Sequence, residues 1–246
     1  MRDIDDILHF RQDISPFLVH LTRAANGADA AAVLRVIVSG KTLKAGETLV
    51  STARYGGSTI KMSADDKRKF FGAICFTETP LSEVHCLLEV RYRQVDLEPY
   101  GIVFLKEKLQ NKGVSPVLYL NNERGDQDGV ARAVFDLKDS SPDAAAMLLP
   151  LVSVFGLKLQ PPAASAAQAG RVDWLWEREW RYPVVNGELS FDATDVFVGL
   201  CPHDRIDGFE GLWPGVGFID PMRSMKWYAT KLIQARQRLG LKYSVV

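Results

Sequence analysis

Cysteines, net charge and long apolar runs are all scarce in this sequence, and each scarcity excludes a class of protein. Three cysteines in 246 residues give neither a disulfide framework nor a C-x-x-C zinc pair, so we expect a cytoplasmic protein. Thirty basic residues balance thirty acidic ones, so the overall charge predicts no nucleic-acid or membrane partner. No run approaches the roughly 18 apolar residues of a membrane helix, and the acidic start "MRDIDDILHF" is not typical of a signal peptide.

Several common catalytic motifs are also missing. Without G-x-G-x-x-G or G-x-x-x-x-G-K-[ST], the sequence supports neither a Rossmann nor a P-loop fold. Without G-x-S-x-G, it offers no nucleophile elbow for a serine hydrolase. No two histidines have metal-ligand spacing, so we expect no metal site.

The patterns that are present predict one α+β domain over 1–246. Alternating or short apolar segments predict strands, and these lie at 15–23, 72–80, near 100–105, at 116–120 and around Val196–Leu200. Helical spacing and caps predict helices, which lie at 26–40 ending at Gly40, at 141–155 with a kink at Pro150, and at 220–240 between Asp220 and Gly240. Residues 49–71 and 160–170 are rich in polar or small residues and are predicted to be loops.

The segment "DWLWEREWRY", residues 173–182, combines three tryptophans with closely spaced charges. As a strand it would direct Trp180 and Tyr182 to one face, and Glu177, Glu179 and Arg181 to the other. The two glutamates would then be about 7 Å apart. Paired carboxylates can divide catalytic roles, whereas a solvated strand face with arginine ion pairs is the alternative interpretation.

Two further features leave alternatives open. His20 and Thr22 share one face of the first predicted strand, where a histidine is either structural or part of a site. The stretch from Pro221 to Val246 carries six basic residues and no acid. Its helix either binds nucleic acid or an acidic partner, or presents a solvated face.

A set of motifs resembles the AbiGi-type abortive phage-resistance family and a related group of bacterial proteins with an E-x-E-W-R motif. The motifs, in order, are "FLVHLT", "GKTL", "CFTETPLSE", "YGIVFLK", "PVLYL" and "EREWRY". The resemblance covers residues 15–185 as a core, leaving 186–246 as a C-terminal strand and a basic helix packed on it. It implies a role in bacterial phage defence, within a toxin–antitoxin type of system.

A more distant resemblance is to ADP-ribosyltransferases, including DarT-like toxins. "HLT" from His20 to Thr22 is similar to their H-x-T start, and "ERE" from Glu177 to Glu179 is similar to their E-x-E. The resemblance implies a mixed or split β-sheet core with flanking helices and NAD as substrate. It makes His20 a ribose-holding residue, Glu179 the carboxylate that stabilises the cation and Glu177 the residue facing the acceptor. Thr22, Thr77 and Arg181 are then further candidates for NAD binding.

These resemblances support an NAD-dependent ADP-ribosyltransferase that acts as an effector in abortive infection. The alternative from another class is a non-catalytic antitoxin or regulatory scaffold, and a third hypothesis is an NAD glycohydrolase. The partners implied are NAD and a protein or nucleic-acid acceptor, or a cognate toxin or antitoxin. The enzymatic hypothesis requires that His20 and Glu179 line one cleft.

Overall fold

A computed structural model of the chain describes residue 11 and residues 13–45, 63–90, 97–121, 128–155 and 175–241. The predicted loop at 160–170 and most of the one at 49–71 lie outside the described residues. Helices and strands alternate irregularly along the chain, which confirms the α+β class. None of the described helices has both the length and the apolar character needed to cross a bilayer.

The elements are numbered here in chain order. The strands are β1 Phe17–Leu21, β2 Thr42–Leu43, β3 Ala73–Thr77, β4 Gly101–Leu105, β5 Ser115–Pro116, β6 Leu118–Asn121, β7 Val152–Phe155, β8 Glu179–Pro183, β9 Leu189–Ser190, β10 Val196–Leu200 and β11 Phe218–Ile219. The helices are α1 Ala30–Gly40, α2 Ala64–Phe71, α3 Val84–Leu88, α4 Lys106–Asn111, α5 Asp128–Ser140, α6 Pro142–Leu148, α7 Ile206–Leu212 and α8 Ala229–Leu239.

The chain divides into two compact units, each made of separate segments. The first unit is Met1–Thr42, Phe76–Lys112 and Ser190–Val246, and the second is Leu43–Cys75 and Gly113–Leu189. The chain passes between them within β2, within β3, after α4 and within β9. The single-domain organisation over 1–246 stays a prediction.

The first unit is built on a mixed sheet. Its strands follow the order β11, β10, β4, β1, with the end of β3 beside β1. β4 is antiparallel to both β1 and β10, and β10 is parallel to β11. Five phenylalanines are fully buried in this unit, namely Phe17, Phe104, Phe197, Phe209 and Phe218. The predicted strands at 15–23 and Val196–Leu200 are confirmed as β1 and β10.

Capping residues set the helix ends of the first unit, and two of the predicted ends need correction. Asp29 caps α1 by accepting a hydrogen bond of 2.7 Å from Ala32 N–H, but the left-handed cap is Lys41 rather than Gly40. Gly240 ends α8 with φ +64°, as predicted. The start of α8 at Ala229 is later than predicted, because the Asp220 carboxylate accepts from the backbone N–H of His203 and Met222 in the preceding turns instead of capping a helix.

The second unit combines short strands with a helical cluster. β5 is antiparallel to β8, and β6 is parallel to β7. The helices α2, α5 and α6, with the 3₁₀ turn that follows α6, supply a buried cluster formed by Phe70, Phe71, Phe135, Ala145, Ala146 and Leu149. The loop prediction is therefore wrong for 64–71, which is α2 with Ser63 as its N-cap.

Pro150 ends a helix instead of kinking it. α6 stops at Leu148, a 3₁₀ turn covers Leu149–Leu151, and the chain continues as β7. Because proline has no N–H and its ring blocks the preceding turn, the helix does not extend past it. The prediction of a helix through 155 is wrong for this reason.

Candidate functional site

The Trp-rich segment is not one continuous strand. Leu175–Glu177 forms a 3₁₀ turn, Arg178 has φ +46°, and β8 begins only at Glu179. A left-handed residue interrupts extended backbone, so Glu177 does not share a strand face with Glu179, and that prediction is wrong. Trp180 and Tyr182 are buried as expected, whereas 45% of Trp176 is exposed. Asp173 and Trp174 lie outside the described residues.

Glu179 and Arg181 form a two-point ion pair on β8. Arg181 Nε donates to Glu179 Oε1 at 3.0 Å, and Nη2 donates to Oε2 at 2.8 Å. The side chains are only 16% and 6% exposed, respectively. This fork-to-carboxylate geometry fixes the plane of the carboxylate as well as its position.

Arg181 is also tied to the chain beyond Glu179. Its Nη1 donates to the carbonyls of Pro150 at 2.9 Å and Val152 at 3.0 Å. Four of the five N–H groups of a guanidinium are thereby engaged. Burial lowers the pKa of Arg181, but the charge of Glu179, its hydrogen bonds and the neighbouring Cys75 and Tyr119 together outweigh burial, and the net shift is upward. Arg181 positions Glu179, while its predicted contact with NAD stays a prediction.

The backbone and neighbours of Glu179 are fixed as well. Val117 N–H donates to the Glu179 carbonyl at 2.9 Å, and Glu179 N–H donates to Tyr119 Oη at 3.1 Å. Cys75 lies beside the ion pair, where burial, then the Glu179 charge, raises the pKa of its thiol. The thiol is therefore neutral at physiological pH and does not serve as a ready nucleophile.

In the first unit, His20 and Thr22 lie at the end of β1. The His20 ring is half-buried, with its centroid 5.6 Å from that of Phe76. Thr22 is buried, and its hydroxyl donates to the carbonyls of Ala30 and Tyr100, each at 3.2 Å. A hydroxyl has one proton, and these carbonyls already use it. Thr22 can therefore only accept a hydrogen bond from NAD.

Thr77 belongs to a buried polar turn that follows β3. Its hydroxyl accepts from Thr79 N–H at 3.1 Å and shares a hydrogen bond of 2.7 Å with the Thr79 hydroxyl. The next residue, Glu78, is buried and pairs with Lys106 at 2.7 Å. Sequence reasoning missed Glu78, although the polar "TET" directly after a buried strand was a usable signal.

The predicted site residues fall into two groups. His20, Thr22 and Thr77 belong to the first unit, and Val19 pairs with Thr77 between β1 and β3. The other group, Glu177, Glu179 and Arg181, belongs to the second unit. A common cleft for His20 and Glu179 stays a prediction.

The first unit also holds a cleft and a cluster of metal-ligating side chains. The cleft measures about 520 Å³, and its lining includes His85, Arg223 and Lys226. His85 also belongs to a cluster with Glu83 and Cys86, whose ligand atoms lie within 4.8 Å of one another. Sequence reasoning missed this cluster because it considered only pairs of histidines and pairs of cysteines.

Comparisons of the chain with protein-family models, with curated proteins and with solved structures found no match.

Proposed function

We propose that this chain is an NAD-dependent ADP-ribosyltransferase in which Glu179 is the catalytic carboxylate. The observation that carries the proposal is the fixed geometry of Glu179 at the start of β8, where Arg181 grips both of its oxygens. An ionised carboxylate has about four lone-pair positions. Arg181 occupies two and the Cys75 thiol approaches a third, which leaves about one for a ligand. A carboxylate that needs no reorientation is suited to stabilising a transient cation.

The proposed reaction breaks the bond between the nicotinamide nitrogen and C1′ of its ribose. Nicotinamide leaves with the bonding electron pair, and the ribose acquires oxocarbenium character. The negative charge of Glu179 stabilises that state in a site of low water content. The acceptor then forms the new bond to C1′ and releases a proton, while water in its place would give NAD hydrolysis.

Other residues take supporting roles in this proposal. The sequence resemblance assigns a ribose hydroxyl to the His20 ring and a part in NAD binding to Thr77. Glu177 faces the acceptor, which is a protein or a nucleic acid. The biological setting proposed is abortive infection in phage defence, for which the order of the sequence motifs is the support.

The direct test is Glu179→Gln, which preserves the size of the side chain and removes its charge. If the carboxylate contributes about 3–4 kcal/mol to the transition state, NAD turnover falls about 10²–10³-fold. Turnover is measured as nicotinamide released by purified protein, with and without cell extract as a source of acceptor. Glu177→Gln is expected to reduce transfer while NAD hydrolysis persists.

A matched control is Glu188→Gln, the same change at an exposed glutamate of the second unit that pairs with Lys44. It should leave turnover at the wild-type value. Wild-type turnover in a folded Glu179→Gln protein would refute the catalytic assignment. Circular dichroism and urea unfolding establish that each variant is folded.

The pairing of both Glu179 oxygens with Arg181 also favours a second function, a non-catalytic antitoxin or regulatory scaffold. A carboxylate paired through both oxygens can serve solely to join β8 to the chain around Pro150. Ligand binding separates the two functions, because a ligand that binds the folded state raises its stability by RT ln(1 + L/Kd), where L is the free ligand concentration. A melting temperature unchanged at millimolar NAD, together with no turnover, would support the scaffold.

A further inference from the structure

We propose that Glu83, His85 and Cys86 form a binding site for a zinc-class divalent cation. The three residues occupy the 3₁₀ turn Leu81–Glu83 and the start of α3. Because side chains three positions apart in a helical turn lie on the same side, Glu83 and Cys86 approach each other. None of the three takes part in the NAD chemistry proposed above.

The separations between the ligand atoms fit a single small cation. Cys86 Sγ lies 3.5 Å from His85 Nε2 and 3.8 Å from Glu83 Oε2. Tetrahedral zinc with bonds of about 2.0–2.3 Å places its ligand atoms about 3.3–3.6 Å apart. Small rotations of the exposed Glu83 and Cys86 side chains and the half-buried His85 ring are therefore enough to bring all three atoms to bonding distance.

The orientation of His85 provides a second, independent observation. Its Nδ1 lies 2.9 Å from the Ser82 carbonyl oxygen, which can only accept a hydrogen bond. In the neutral ring this contact assigns the proton to Nδ1, which leaves the Nε2 lone pair on the side of Cys86, 3.5 Å from Sγ. Histidines that ligate metals ordinarily have this arrangement, with the second nitrogen donating to a carbonyl or carboxylate.

The donor types select the class of cation. A thiolate, an imidazole and one carboxylate suit zinc and similar transition metals, whereas calcium and magnesium prefer all-oxygen sites. Three protein ligands leave the fourth tetrahedral position for water or another ligand. His85 also lines the 520 Å³ cleft that contains Arg223 and Lys226, so that fourth ligand has room and a basic environment.

The test is titration of the metal-free full-length protein with Zn²⁺ and, for spectroscopy, with Co²⁺. We expect one equivalent to bind, with the ultraviolet absorption of a thiolate-to-cobalt charge transfer. Cys86→Ser should abolish that absorption, and His85→Gln should lower the Zn²⁺ affinity by at least about tenfold, since even changes outside the ligand shell cost that much.

Glu83→Gln has a matched control in Glu89→Gln, the same loss of charge at an exposed residue of the same turn region but outside the cluster. Glu83→Gln removes a ligand and should weaken binding by at least about tenfold, whereas Glu89→Gln removes only a nearby charge that acts on Cys86 and should change the affinity far less. No stoichiometric Zn²⁺ binding by the wild type would overturn the proposal. So would a charge-transfer band that persists in Cys86→Ser, because Cys75 or Cys201 would then supply the thiolate.

Discussion

The fold satisfies most of the hydrogen-bond donors of Arg181. Its position in a charged, aromatic segment does not suggest this. The whole residue is 5% exposed. Its guanidinium donates two hydrogen bonds to the Glu179 carboxylate and one each to the carbonyls of Pro150 and Val152. A buried charge is tolerated only where a partner charge and hydrogen bonds compensate its lost hydration. The arginine thus joins β8 to the chain around the start of β7 and orients the proposed catalytic carboxylate at the same time.

Arg181→Gln is expected to lower the free energy of unfolding by about 3–5 kcal/mol, because it leaves the Glu179 charge and two carbonyls without their donors. Urea unfolding followed by circular dichroism measures the change. Arg205→Gln is the control, since the Arg205 ion pair with Asp204 is exposed and such a pair contributes about 0–1 kcal/mol. Equal losses of unfolding free energy in the two variants would show that the buried Arg181 ion pair contributes no more to stability than the exposed Arg205 pair.

Among the elements, β1 and β4 are in close backbone contact at a glycine. A Cβ on Gly101 would lie 2.4 Å from the carbonyl oxygen of His20, and backbone cannot move aside as a flexible side chain can. The register of the two strands, with Leu21 opposite Gly101, therefore depends on the absence of a side chain at this position. This contact also sets the position of His20.

Gly101→Ala is expected to destabilise the protein by about 1–3 kcal/mol, as other overpacked interiors do. The matched control is Gly208→Ala in α7, where an added Cβ meets nothing within 4 Å and alanine favours the helix by about 0.5–1 kcal/mol. Opposite signs of the two changes in urea unfolding would confirm the steric explanation. A neutral Gly101→Ala would contradict the strand contact.

At the scale of the whole molecule, the buried thiol of Cys201 makes the free energy of unfolding fall at alkaline pH. Burial, followed by the charges of Asp220 and Glu210, raises the pKa of Cys201 from 9.0 to about 12. Between these two values the unfolded chain releases the thiol proton while the folded chain keeps it. The unfolded state is then favoured, so the free energy of unfolding falls as pH rises through this window.

Cys201→Ala is expected to remove this part of the pH dependence. The wild type should lose up to about 1.4 kcal/mol per pH unit above pH 9 relative to the variant, which is the limit for one proton. Urea unfolding at pH 8, 9 and 10 measures the difference for both proteins. Parallel stability curves would show that Cys201 titrates normally in the folded state.

The sequence by itself determined the elements whose signals are local. Alternating apolar residues gave β1 correctly, a short buried run gave β10, and Gly240 marked the end of α8. The strand predicted near 100–105 also followed from its own pattern, as β4. In each of these cases the residues within one segment already favour one conformation, and the tertiary contacts stabilise that same conformation.

Only the tertiary structure decided the conformation of the charged segment and the role of its arginine. Alternation identifies strand faces only if the backbone is extended, and Arg178 adopts φ +46° immediately before β8. Two of the four hydrogen bonds of Arg181 join residues about thirty positions apart, and the Glu78 and Lys106 pair spans a similar separation in sequence. Such contacts depend on how distant segments pack against each other. The hydrophobic periodicity within either segment does not reveal that packing.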